Sequence, residues 1–182
     1  MTAPTMRCLL LRALLSACVL ASLGFASPSA MAQDLPDART SSCNFDDNSQ
    51  MAIQYQPITV NPKKRILGNE IPYNKVWTPG GKAMTLFTNV PLKFGSTPLA
   101  VGAYTLFVIP GEKNWTMIVS KATDVAAAYD VQKDIARAKM ETGELGSPES
   151  QFSVYLAHEA PTECMARLDL GKTRAWVAFE KQ

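Results

Sequence analysis

From Met51 onward the chain alternates. Met51, Ile53 and Tyr55 fall on one face of an extended segment, with Gln54 and Gln56 on the other, the period-two signature of a half-buried strand. Pro57 lacks an amide hydrogen for a ladder, so it predicts an edge or a bulge there. In "AMTLFTNV", Met84, Leu86, Thr88 and Val90 oppose Ala83, Thr85 and Phe87. Tyr104, Leu106 and Val108 then alternate with Thr105, Phe107 and Ile109, and Trp115, Met117 and Val119 with Thr116, Ile118 and Ser120. "PGEKN" between these two runs supplies a fixed φ at proline and a permissive glycine, as a hairpin needs. "FSVYLAH", "CMARLDL" and "TRAWVAFE" repeat the habit, with "DLGKT" turning between the last two. "TDVAAAYDVQKDIARAKM" is mixed. Thr123 is an N-cap candidate and three alanines favour helix, so a short helical turn is expected at Asp124–Tyr129, followed by strand from about Asp134. "TGELGSPES" is expected to be a loop. No internal repeat and no second domain are visible. Eight or nine short strands set off by turn residues predict an all-β fold, a single-domain antiparallel β-sandwich or partly closed barrel.

The first 32 residues follow a different pattern. Arg7 and Arg12 precede the apolar run Ala13–Ala26, and Ala30 and Ala32 offer small residues at the spacing of a cleavage site. That is the form of a secretory signal, too short to span a bilayer, which takes about 20 apolar residues. "LSAC", ending at Cys18, is a rival cut resembling a lipoprotein box, although only the five residues Ala13–Ala17 separate it from Arg12. The expected organisation is a signal over 1–32, a loose polar leader over 33–50 and the sandwich over 51–182. The expected location is the periplasm or the medium, with an anchored lipoprotein as the alternative.

Cleavage after Ala32 changes the balance of charge. Lys plus Arg falls from 18 to 16, because Arg7 and Arg12 leave, and Asp plus Glu stays at 16. A neutral chain of 182 − 32 = 150 residues carries no cationic surplus for nucleic acid or an anionic membrane. It buries roughly 70% of its unfolded surface on folding, enough for a core of its own. Cys43 and Cys164 are the cysteines left, and two thiols in an oxidising compartment most simply pair. A bridge closing about 120 residues contributes roughly 4–5 kcal/mol on the chain-entropy model. The alternative is two separately buried thiols.

Candidate chemistry concentrates in "EIPYNKVWTPGGKA". Tyr73 and Trp77 supply rings on which a sugar can stack, and Lys75 and Lys82 supply cations for an anionic group. The plainer reading is a corner plugged by Tyr73 and Trp77 and set by Pro72 and Pro79. "PGGKA" lacks the spacing and the Ser or Thr of a phosphate loop. His158, the sole histidine, is a candidate general base with Glu159 or Glu163 nearby, or a strand-end residue bonded to backbone. "FDDNS" has too few oxygens for a regular calcium loop, and two distant cysteines do not make a metal site. "NPKKR" reads as a short solvated turn, and no Gly-x-Ser-x-Gly elbow is present. No metal, cofactor or catalytic set is expected. Binding of a small ligand or a cell-envelope partner through Tyr73, Lys75, Trp77 and Lys82 is the favoured function. A hydrolase using His158, or a purely structural envelope protein, are the alternatives.

"YQP", "KKRILG", "IPYNKVW", "VGAYTLFVIPGEKNWTMIVSK" and "LDLGKTRAWVAF" resemble the bacterial domain-of-unknown-function 2911 family over roughly Ile53 to Phe179. The resemblance implies an exported all-β domain, with strand at Ile135–Met140, and carries no established reaction. Relatives continue after the tryptophan with arginine, then Gly-Ala-Asn and often glutamate. Here Trp77 is followed by Thr78, Pro79, Gly80, Gly81, Lys82 and Ala83, so the Arg, Asn and Glu of relatives are missing from this loop, and if those groups bind something in relatives, this protein binds something else or has lost the site.

Overall fold

A computed structural model describes residues 37–122, 124–126 and 128–182. The expected signal, its rival cut at Cys18 and the N-cap candidate Thr123 lie outside the described residues. Nine strands form: β1 Arg39–Asn44, β2 Gln50–Tyr55, β3 Met84–Thr88, β4 Leu92–Phe94, β5 Thr97–Leu99, β6 Gly102–Ile109, β7 Trp115–Ser120, β8 Asp134–Ala160 and β9 Glu163–Lys181. They make one antiparallel sheet in the order β1-β2-β3-β6-β7-β8-β9-β4-β5. The sheet does not close, and the fold is all-β and sandwich-like.

The alternation read from the sequence sets the inward face. Met51, Ile53, Met84, Leu86, Leu106, Val108, Met117 and Val119 all enter the main core, with Phe152, Leu168 and Phe179 from the last two strands. On β6 and β7 the opposite face is apolar as well. Phe107 and Ile118 form a second small cluster with Ala83, covered by Val76, Val125 and Tyr129. The connection between β7 and β8 therefore acts as a cover for the outer face. Its local structure departs from the expected helix at Asp124–Tyr129. The chain turns at Val125–Ala126, with Asp124 Oδ1 accepting from the Ala126 amide at 2.9 Å. The helical turn comes later, at Val131–Lys133, capped by the Asp130 side chain. Helix propensity gives way here to the burial of Val125 and Tyr129 on the sheet.

Three further expectations are corrected. Residues 39–44 of the leader form an edge strand, paired in register from Arg39↔Tyr55 to Asn44↔Gln50. Only Cys43 of this strand is buried, so its composition carries no apolar periodicity. Pro57 does not mark an edge: β2 lies between β1 and β3 and ends at Tyr55, ahead of the proline. "TGELGSPES" is not a loop but the middle of the 27-residue β8. Register shifts against β9 between Glu144 and Ser153 mark where the long pair is irregular, and Gly143, Gly146 and Pro148 fall in or beside that stretch, as bulged strands accommodate. The segment Ile58–Val60 straps this region: the Val60 amide donates to the Ser150 carbonyl at 2.8 Å and the Phe152 amide to the Ile58 carbonyl at 2.9 Å.

Beyond that bend β8 returns beside β1. The Leu156 amide donates to Ser41 Oγ at 2.9 Å, and Cys43 is disulfide-bonded to Cys164 with a Cα–Cα distance of 6.2 Å. The bridge joins the edge strand β1 to β9 across the core. In the β1–β2 turn, Asn48 is left-handed at φ 64°, and Asp47 Oδ1 accepts from Ser49 through both amide and hydroxyl. Lys181 Nζ binds the other oxygen of Asp47. These hydrogen bonds, led by the one from Lys181, hold the Asp47 carboxyl well below the usual carboxylate range.

Candidate cleft at the Pro62–Leu67 turn

The crowded loop does not present its four expected residues together. β3 pairs with β6 only as far as Met84↔Leu106. Past that point the loop takes its place: the Trp77 amide donates to the Val108 carbonyl at 2.7 Å, and the Asn74 amide to the Pro110 carbonyl at 2.8 Å. This pairing turns the Trp77 indole inward, edge-on to Trp115 at 6.2 Å and to Phe152 at 5.3 Å. Trp77 is half-buried and packs against the core. Lys75 is exposed. Lys82 lines a separate recess of about 10 Å³ beside Tyr55 and Gln56, room for about one water. The buried Gln56 Oε1 has no protein partner there.

Tyr73 goes elsewhere. It lines an open cleft of about 340 Å³ between the Pro62–Leu67 turn and the Leu170–Thr173 stretch of β9. The turn begins with Asn61, whose side chain accepts from the Lys63 amide at 3.0 Å and whose carbonyl accepts from the Lys64 amide at 3.0 Å. It closes around the Ile66 carbonyl, which accepts from the Glu70 and Ile71 amides at 2.9 and 3.1 Å. Ile66 and Ile71 are buried and tie the turn to the core. Two glycines let the walls meet. Gly68 sits at φ 84°, and a Cβ there would stand 2.7 Å from Tyr73 Cε2, so the ring packs directly on bare backbone. Gly171 sits at φ 58°, with Ile66 Cδ1 at 3.0 Å from where its Cβ would be. Both conformations cost little only for glycine.

The cleft is cationic. Lys63, Lys64, Arg65 and Lys172 line it, and no lining residue is Asp or Glu. None of the four makes an ion pair among the described residues. Arg65 Nε donates to the Leu67 carbonyl at 3.3 Å. Just outside the cleft, Asp169 and Arg174 bracket the Leu170–Thr173 wall. Arg174 Nε and Nη2 reach Asp169 Oδ1 and Oδ2 at 2.7 and 2.6 Å. The carboxylate side chain is 1% exposed and the guanidinium 35%. The paired carboxylate raises the Arg174 guanidinium above its ordinary value.

His158 lies apart. It is exposed, faces Asp46 Oδ1 at 3.3 Å, and stands opposite Cys164 on β9. Glu159 is engaged by Arg167. His158 lines none of the clefts described above, and Asp46 and Asp47 of "FDDNS" are each occupied by a cation or by His158. Among the described residues no group of three or more His, Cys, Asp or Glu side chains is placed to hold a metal ion.

A family model described as "Protein of unknown function (DUF2911)" matches residues 36–179. The chain belongs to the DUF2911 family. No curated protein and no solved structure matches it. In this DUF2911 domain the matched region contains both walls of the cleft, "NPKKRIL" and "LGKT". The expected turn at "DLGKT" does not break the strand: Leu170–Thr173 lie within the continuous β9. The signal available was the clustering of Lys63, Lys64 and Arg65. What the sequence did not carry was that Lys172 stands across from them.

Proposed function

We propose that this DUF2911 protein is a binding module that captures a small anionic ligand in the cleft between Pro62–Leu67 and Leu170–Thr173. One observation carries the reading: four cations line a single open cleft with no acidic residue among its walls. Like charges brought together in one cleft with no acid in its lining repel one another, and a bound anion relieves that repulsion. Tyr73 joins the cations as an aromatic wall. An aromatic ring beside a few convergent polar groups is a usual make-up of a ligand site, and the volume of about 340 Å³ lies at the small end of the range for such sites.

The test is a thermal-shift and calorimetric screen of small anions against neutral analogues, repeated with Lys63→Glu/Lys172→Glu. Both lysines are exposed, so the variant retains the fold. Anions should raise the melting temperature of the parent and not of the variant. An anion-induced shift of equal size in both proteins removes this cleft from consideration. The alternative of a hydrolase built on His158 has less behind it, since that side chain stands outside the clefts.

We also propose that the protein works outside the cytoplasm. Support comes from the Cys43–Cys164 disulfide, a bond that persists in oxidising compartments, together with the charged, apolar and small-residue order of the first 32 residues. No helix among the described residues is long and apolar enough to cross a membrane. Intact-mass measurement of the mature protein should give a chain beginning at Gln33, whereas a lipid-modified Cys18 would replace free export with anchoring.

A further inference from the structure

We infer that the ligand of this cleft is a phosphate monoester of a small polar body, such as a sugar phosphate, rather than a singly charged carboxylate or sulfate. The inference rests on the binding reading above and narrows it. Lys63, Lys64, Arg65 and Lys172 bring four positive charges to a space of about 340 Å³ without an acid among the lining residues. A monoanion leaves most of that excess uncompensated; a phosphate monoester carries about −1.5 to −2 near pH 7 and three acceptor oxygens.

The donors suit that headgroup. Arg65 is held through Nε by the Leu67 carbonyl, so its remaining nitrogens are partly pre-oriented, and a guanidinium fork matches phosphate geometry with two parallel hydrogen bonds. The lysines act as mobile point charges that reach the third oxygen from either wall. The rest of the cleft is not built for a bare ion. Tyr73 packs on Gly68 at one side and lines the cleft, an aromatic surface on which a sugar ring can rest. A space at the small end of ligand-site volumes favours a monomer over a polymer segment.

Isothermal titration at pH 8 and fixed low salt would compare glucose 6-phosphate, glucose 6-sulfate, glucuronate, inorganic phosphate and glucose on the full mature protein. The phosphate ester should bind about tenfold or more tightly than the sulfate ester and glucuronate, because one added charge in this cleft meets several cations. It should also exceed inorganic phosphate, and Tyr73→Leu should narrow that second gap. The inference is overturned if the sulfate ester or glucuronate binds as tightly as the phosphate ester, or if inorganic phosphate does. Those outcomes leave the anion-binding reading standing so long as Lys63→Glu/Lys172→Glu abolishes the binding. Binding of none of the four anions, or binding indifferent to that variant, sinks both.

Discussion

The two partners of the Asp169–Arg174 pair should differ sharply in what their loss costs. The Asp169 side chain is 1% exposed and that of Arg174 is 35% exposed. Arg174→Met strands a carboxylate in the interior with both of its charge-assisted hydrogen bonds gone. Breaking a buried pair from one side costs about 3–5 kcal/mol; with water able to follow the vacated guanidinium path, about 3 kcal/mol is expected. Asp169→Asn leaves a guanidinium that already reaches solvent, so its loss is discounted as for a partly exposed pair, to about 1–2 kcal/mol. For a domain of this size each kcal/mol moves the melting temperature by about 2–4 °C, so about 9 °C separates Arg174→Met from the parent and about 4 °C separates Asp169→Asn. Urea melts at constant m-value would give the free energies directly. The double variant Asp169→Asn/Arg174→Met should be more stable than Arg174→Met alone, since it removes the stranded charge. If Asp169→Asn costs as much as Arg174→Met, or if the double variant is the sum of the singles, the asymmetry argument is wrong. The pair also brackets the Leu170–Thr173 wall, so anion affinity should fall in Arg174→Met.

Three other outcomes are expected. Replacing Cys43 and Cys164 with serine should cost up to about 5 kcal/mol on the chain-entropy model, because the bridge closes 121 residues; a denaturation midpoint unchanged by reduction would contradict this. Trp77→Ala should destabilise by about 3 kcal/mol, as truncation of a packed aromatic does, without weakening anion binding, and a selective loss of binding would return Trp77 to the site. Asp47 should titrate well below an ordinary aspartate in a carboxyl NMR titration. Its folded-state value is depressed, so its contribution to stability is present above the unfolded value of about 3.9 and is lost as pH falls through the folded value; Lys181→Met should move the midpoint up, and an unmoved midpoint would remove Lys181 as the cause.

Much of this fold is written in the period of the chain. The alternation of Met84, Leu86 and Thr88, or of Met117 and Val119, states which face is buried, because successive side chains of a strand point to opposite sides. The disulfide was legible for a simpler reason: once residues 1–32 are set aside, Cys43 and Cys164 are the cysteines that remain. Periodicity says nothing about which strands become neighbours or where a backbone edge lies open. β1 was illegible because an edge strand with one buried side chain needs no apolar pattern, and the middle of β8 was illegible because backbone pairing carried it through a run rich in Gly, Ser and Pro. The sequence does not state that the open edge of β6 beyond Leu106 takes the Trp77 backbone into the sheet and packs its ring against the core. The cleft itself depended on tertiary structure most of all. Only the folded β8–β9 pair carries Lys172 across from Lys63, Lys64 and Arg65, and only the bare backbone at Gly68 and Gly171 lets Tyr73 and Ile66 close the space between them.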